Sequence, residues 1–318
     1  MISPSSAWII KGQLDKGALP DLSFSPVFRT LMHLRGMQTS EEVLRFITPR
    51  LNDMKDQSMM LGMQKACARI GEAIAQRERI GVFSDYDVDG VCSAALIHRF
   101  MVKLGLEPPV IFIPDRAMDG YGLNERGIDA LHAQGVTLLI TADCGINSVR
   151  EVAYAKSLGM EVIITDHHEP EGTLPEASCV INPKQPACPF FGEDLCGAGV
   201  IFHLIVALRA HLRHQGYADL PNLREDLDLV AMATVADVVA LSGINRILVK
   251  EGLNVLNTAG RVGISALAKV SGLTQVVFAH DLGYILGPRI NAAGRVSDAR
   301  KALDLLTTED ADLAHRIA

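Results

Sequence analysis

With 318 residues, 48% hydrophobic and 21% charged, the chain can bury one large or two moderate cores and is too apolar to be disordered on a large scale. No uncharged apolar run approaches the roughly 20 residues that span a bilayer, and Met1-Ile2-Ser3-Pro4-Ser5 opens no basic-then-apolar secretory signal, so a cytoplasmic protein without membrane contact is expected. A formal net charge of −7 does not exclude a nucleic-acid partner, because carboxylates neutralised by divalent cations no longer repel phosphate.

Residues 1–75 read as an N-terminal helical extension, in which Thr39-Ser40-Glu41-Glu42 has the form of a helix start. From residue 76 the pattern alternates. Short apolar runs near 80–84, 109–113, 137–142, 161–165 and 178–181 read as buried strands, separated by amphipathic stretches such as Ser93 to Leu104, Asn124 to Gln134 and Ser148 to Leu158. That alternation is the signature of an α/β fold, a parallel sheet flanked by helices. After a Pro-rich loop, Asn182-Pro183-Lys184-Gln185-Pro186, only helices are expected: Gly197 to about His214, Leu223 to Leu241, Asn245 to Leu256, and Ala299 to the end. The last segment, Thr307 to Ala318, begins with a Thr cap and has neither C-cap nor breaker, which suggests a chain cut short. Six cysteines without a CxxC pair read as reduced and structural.

Chemistry concentrates where strands end. Ser84-Asp85-Tyr86-Asp87-Val88-Asp89-Gly90 follows the first run, Asp143 the third, and Asp166-His167-His168 the fourth. In open parallel sheets ligands sit beyond the carboxyl ends of the strands. So many carboxylates at one edge would repel one another without cations between them. An EF-hand loop also begins D-x-D-x-D-G, but position twelve is Leu96 instead of an acid, and a strand instead of a helix precedes it. Asp143 alone could equally cap a helix. Asp237 lies in the apolar stretch Leu227 to Leu241, where a lone carboxylate is costly to bury, so a metal or cation should meet it. His and Asp donors without thiolates favour manganese or magnesium. Arg116, Arg289 and Arg295 are candidate phosphate contacts, the last two in a Gly-bracketed segment expected to be a loop. Tyr121, in Gly120-Tyr121-Gly122-Leu123-Asn124, could stack on a base or equally fill a tight turn.

Asp85-Tyr86-Asp87-Val88-Asp89-Gly90, Asp143-Cys144-Gly145, Asp166-His167-His168 and Asp237 together resemble the four motifs of the DHH phosphoesterases. Ile113-Pro114-Asp115-Arg116, Asn182 to Pro186, Gly197-Ala198-Gly199-Val200 and Gly287-Pro288-Arg289-Ile290-Asn291-Ala292-Ala293-Gly294-Arg295 extend the likeness over about residues 80 to 305. Within that family the chain is similar to bacterial enzymes that degrade single-stranded DNA. The resemblance implies a two-metal-dependent 5′→3′ exonuclease of DNA repair and recombination, working with single-strand-binding protein and a helicase. It implies Asp85, Asp87, Asp89, Asp143, His167 and Asp237 around two Mn²⁺ or Mg²⁺ ions, with Asp143 bridging and Asp166 orienting the histidines. His168, Arg116 and Arg295 would contact the scissile phosphate, with Tyr121, Asn124, Arg289 and Asn291 binding substrate. The same family includes phosphodiesterases of short oligonucleotides or cyclic dinucleotides, and a non-catalytic scaffold could keep the fold. The implied organisation is an extension over 1–75, a catalytic domain over 76–245, and a helical segment over 246–318 leading to a second, glycine-rich domain that is absent.

Overall fold

The computed structural model describes residues 19, 23–116, 118–190, 194–296 and 299–318, with the backbone alone at 295 and 296. Two compact units result, Met1–Met54 and Lys55–Ala318. In the first, helices α1 (Pro26–Leu34) and α2 (Ser40–Ile47) bury Met32 and Val43 beside Phe24, Phe28, Met37 and Phe46. Thr39 caps α2 as its sequence predicts: its hydroxyl accepts from the Glu42 amide while the Glu42 carboxylate accepts from the Thr39 amide. The boundary expected near residue 75 lies instead at Met54. Helix α3 (Met63–Gln76) belongs to the larger unit, burying Ala66, Cys67, Ile70 and Ile74 there.

The larger unit is built on five parallel strands in the order β2-β1-β3-β4-β5: β1 Ile80–Ser84, β2 Val110–Phe112, β3 Leu138–Ala142, β4 Glu161–Thr165 and β5 Cys179–Ile181. All five fall where the apolar runs predict. Strands β1 and β3 are almost wholly buried, which is why they read as continuous apolar runs and not as alternating ones. Helix α4 (Val88–Lys103) follows β1, α5 (Glu125–His132) follows β2, and α6 (Val149–Ser157) follows β3. One sheet face packs Phe83, Leu139, Val162 and Ile164 against Ile128, Leu131 and Val152. Helix α7 (Gly197–His214) packs against α3 and α4.

Strand order reverses between β1 and β3, so the crevice at their carboxyl ends is the topological switch point of the sheet. Register carries the pairing past the strands. The amides of Asp85, Asp143 and Asp166 donate in turn to the carbonyls of Ala142 (3.3 Å), Thr165 (3.2 Å) and Ile181 (3.1 Å). The three acidic residues therefore leave the sheet side by side.

Three helical expectations change. Leu223–Leu241 is not one helix: a 3₁₀ turn (Leu223–Asp226) leads into α8 (Leu227–Ala236), which stops at Asp237 because Val238 turns the chain at φ +61°. Helix α9 (Gly243–Thr258) then runs straight through the boundary expected at 245, packed along α8. After α10 (Val262–Val270), the segment expected to be a loop is helical: α11 (Ala279–Asp281) continues through a π turn (Leu282–Leu286) into α12 (Gly287–Val296). The C-terminal stretch is two helices, α13 (Ala299–Thr307) and α14 (Ala311–Ile317). Asp310, not a Thr, caps α14, its carboxylate accepting from the Asp312 and Leu313 amides. Buried Arg261 ties α10 to α8 through Asp226 (3.0 Å) and Asp228 (2.8 Å). Among the described residues no helix is long and apolar enough to cross a membrane, and all six cysteines are free and buried.

Candidate metal centre

Asp85, Asp87 and Asp89 are placed by the join of β1 to α4. Asp85 continues the strand and is 3% exposed. Asp87 caps α4, its carboxylate accepting from the Gly90 amide at 3.0 Å. Asp89 sits in the first turn and faces α7, where it accepts from the Gly197 and Ala198 amides at 2.6 and 2.7 Å. A buried carboxylate at a helix N-terminus meets two orphan amides and the positive end of the macrodipole.

Asp143 leaves β3 in the left-handed conformation (φ +64°), unusual outside glycine. That turn sends its carboxylate back across the strand ends to within 3.0 Å of His167 Nε2. Helix α7 begins against it: a Cβ on Gly197 would come within 2.6 Å of the Asp143 Cβ, so only glycine fits there. Beyond β4, Asp166 is almost wholly buried and holds the next residues. One oxygen accepts from the amides of His167 (2.7 Å) and His168 (3.1 Å) and lies 2.7 Å from His168 Nδ1; the other accepts from the Ile146 amide at 2.9 Å.

The adjacent histidines diverge, as expected for a turn. His167 faces Asp89 (3.6 Å), Asp143 and Asp237 (3.8 Å), while His168 meets the Tyr121 hydroxyl through Nε2 at 3.1 Å. Asp237 arrives from α8, where the turn at Val238 leaves its carboxylate at the carbonyl end of the helix. Residues spread from 85 to 237 thus form interlocking sets whose donor atoms lie within 4.8 Å of one another: Asp85, Asp87 and Asp143; Asp89, His167 and Asp237; and Asp143, His167 and His168.

The electrostatics are those of crowded anions. Burial, then the neighbouring Asp87, pushes the Asp85 carboxyl up to about 7. Burial and Asp237 push Asp89 up to about 8, against the pull of the two α7 amides. Asp143 is raised well above the usual carboxylate range by burial and by Asp89, and Asp237 rises to about 6 through burial and Asp87. Burial and then His168 lower His167 to about 4, leaving it neutral with a free lone pair. Asp166 behaves oppositely to the rest: despite its burial, the His168 contact holds it low and raises His168 in return. Within this cluster, Asp85 Oδ1, Asp143 Oδ1 and His167 Nδ1 are buried without a hydrogen-bond partner. Native proteins rarely leave such atoms unsatisfied. Oxygen and imidazole donors with open lone pairs and no thiolate fit a hard or borderline divalent cation.

A cavity of about 210 Å³ opens beside the first set, lined by Asp85, Tyr86, Asp87, Arg116, Tyr121 and Asn291. Arg116 lies over the Tyr86 ring, 5.5 Å from its centroid. Asn291 reaches the site as well, but through the backbone: its side-chain oxygen accepts from the Val88 amide at 2.9 Å. Two of the expected substrate contacts point elsewhere. Asn124 caps α5, accepting from the Gly127 amide, and Arg289 donates to the Ile285 carbonyl of its own helical run. Arg295 lies on α12 with its side chain outside the described residues.

Sequence reasoning missed the residues that brace the donors. Asn182 donates to the His168 carbonyl at 2.9 Å, and the amides of Gly197 and Ala198 hold Asp89. A Gly-x-Gly at a helix start is the sequence signal for an anion cradle, and Gly197-Ala198-Gly199 carries it.

Comparison with known proteins finds relatives in sequence and in fold. The DHH family N-terminal domain matches residues 79–234. The single-stranded-DNA-specific exonuclease RecJ of Escherichia coli K12 is 40% identical over 313 residues, spanning 96% of this chain and 54% of that protein. A crystal structure of exonuclease RecJ bound to manganese superposes with a TM-score of 0.73 at 39% identity, covering 81% of this chain and 64% of that one. Another, of RecJ with Mn²⁺ from Thermus thermophilus, gives 0.78 at 35% identity, covering 94% and 42%. The chain spans about half the length of the E. coli protein. In sequence and in fold, the chain belongs to the DHH family.

Proposed function

We propose that this chain is the catalytic part of a metal-dependent exonuclease that removes nucleotides from the 5′ end of single-stranded DNA. One observation carries the proposal: two three-residue donor sets meet at the switch point of the sheet, with Asp143 within reach of both. The unpartnered buried atoms of Asp85, Asp143 and His167 are what a site built for cations leaves open. Asp85, Asp87 and Asp143 would hold one Mn²⁺ or Mg²⁺ ion, and Asp89, His167 and Asp237 the other, with Asp143 between them. Such a pair supplies Lewis-acid activation of water and of the phosphoryl group.

The remaining roles belong to the chain. Asp166 fixes the His168 ring through Nδ1, which leaves Nε2, beside the Tyr121 hydroxyl, to donate to a phosphate oxygen. Arg116, supported by the Tyr86 ring, supplies a planar donor for the same phosphate. The cavity of about 210 Å³ walled by Tyr86 and Tyr121 supports a reading in which one flexible strand end enters and a stacked duplex does not. The catalytic machinery then belongs to the larger unit, Lys55–Ala318, with α9 packed along α8. A cytoplasmic enzyme recruited by single-strand-binding protein and a helicase fits a substrate of this kind, and the RecJ exonucleases it resembles are named for single-stranded DNA.

The test is hydrolysis by the purified chain, with Mn²⁺, of end-labelled single-stranded and duplex DNA of one sequence. Weak release of nucleotides from the 5′ end of the single strand alone, lost in Asp143→Ala, is expected. Hydrolysis confined to dinucleotides or cyclic dinucleotides would transfer the site to short substrates. Absence of Mn²⁺ binding by calorimetry would remove the metal reading altogether.

A further inference from the structure

We propose that Asn291 is a positioning residue for the metal-binding loop instead of a substrate contact, and that through it α12 sets the metal affinity of the site. The inference rests on the two-ion reading above and extends it to a helix about 200 positions away in sequence. Val88 is the first residue of α4, and an amide at that position has no partner within its own helix. Asp87 caps the Gly90 amide and leaves Val88 open. Asn291 closes it, placing its oxygen 2.9 Å from the Val88 nitrogen. Because the donor is an N–H, it is the oxygen of the carboxamide that must face it.

A second contact points the same way. Gly294, one turn further along α12, lies so close to the loop that an added Cβ would stand 2.8 Å from the Tyr86 carbonyl oxygen. Asn291 and Gly294 therefore grip the segment between Asp85 and Asp89 at two positions, Tyr86 and Val88. Without the Asn291 oxygen, the Val88 N–H must find another acceptor. The Asp85 and Asp87 carboxylates lie on the same short segment, and an amide that turned to them would compete for lone pairs the cation needs.

The consequence separates two roles for one residue. If Asn291 positions the loop, an acceptor oxygen is all that matters. If it binds phosphate, its N–H₂ matters and a carboxylate would repel the substrate. Mn²⁺ binding to the full 318-residue chain, stripped with EDTA and followed by calorimetry and by the electron paramagnetic resonance of free Mn²⁺, should show Asn291→Ala weakened by about tenfold. Asn291→Asp should bind at or above the wild-type affinity, and Gly294→Ala should be weakened like Asn291→Ala, all with unchanged far-UV circular dichroism. Wild-type affinity in Asn291→Ala, or equal weakening in Asn291→Asp, would overturn the proposal. So would a raised KM for single-stranded DNA in Asn291→Asp with Mn²⁺ affinity unchanged. A wild-type chain that binds no Mn²⁺ would overturn the two-ion reading and this inference with it.

Discussion

Replacing Asp85 by asparagine should stabilise the metal-free protein at pH 8 and leave it nearly unchanged at pH 4. Asp85 is 3% exposed, one of its oxygens is unpartnered, and burial beside Asp87 lifts its carboxyl from 3.8 to about 7. At about 1.4 kcal/mol per pH unit, a rise of roughly three units corresponds to a ceiling of about 4 kcal/mol. The sign follows from linkage. Below the unfolded value both states hold the proton and nothing is lost. As pH rises through the folded value the unfolded chain is free to ionise and the folded one resists, so stability falls. Asparagine keeps the shape, removes the charge and offers its amide to neighbouring carboxylates.

Thermal unfolding in EDTA, followed by far-UV circular dichroism at several pH values, measures the difference directly. In a unit of this size 1 kcal/mol moves the midpoint by about 2–4 °C, so the variant should melt about 5–15 °C higher at pH 8. The comparison is made at equal pH because His167, lowered to about 4, acts in the opposite direction, losing stability as pH falls below its ordinary 6.5. Added Mn²⁺ should then raise the wild type more than the variant. A variant that melts at or below wild type in EDTA at pH 8 would refute the view that Asp85 is a strained anion waiting for a cation.

Mn²⁺ affinity itself should rise between pH 6 and 8, with protons released on binding, because Asp85, Asp89 and Asp237 give up theirs at about 7, 8 and 6; calorimetry in buffers of different ionisation enthalpy counts them. Asp143→Ala should abolish hydrolysis with the fold intact. Asp143→Gly should be about 1 kcal/mol more stable than Asp143→Ala, since glycine tolerates φ +64° and alanine does not. Gly197→Ala drives a methyl against Asp143, so it should cost about 1–3 kcal/mol and weaken Mn²⁺ binding by displacing the amides that hold Asp89. Arg116→Ala should lower the affinity for single-stranded DNA and flatten its salt dependence, measured by fluorescence anisotropy at several salt concentrations.

The sheet and most of the donor set were legible because both obey simple rules. Valine- and isoleucine-rich runs of four or five residues make buried parallel strands, and polar residues directly after them must lie at one edge. What escaped was local backbone. The apolar pattern continues past Asp237 through Val238-Val239-Ala240-Leu241, so periodicity predicts one long helix, whereas a left-handed turn at Val238, without the usual glycine, ends it. Gly287 and Pro288 look like loop punctuation, yet the π turn before them carries the helix on, with the Gly287 amide bonding five residues back to Leu282. Asn124, expected to bind substrate, caps α5 instead, and the acidic Glu125 directly after it is the sequence sign of that helix start.

The proposed action of an acidic chain on a polyanion is a contradiction only if the site is considered without its ions. Asp85, Asp87, Asp89, Asp143 and Asp237 crowd one crevice, their donor atoms shared among three interlocking sets. In that state the crevice repels phosphate, and most of its carboxylates are pushed toward protonation. Two divalent charges bring the same crevice close to neutrality, while the Arg116 guanidinium lining it supplies a positive donor. Phosphate affinity is then conditional on metal, which ties substrate binding to the loaded state. On the proposed function, the charge that makes the metal-free site unstable is therefore also what would keep it from holding a phosphodiester it cannot cut.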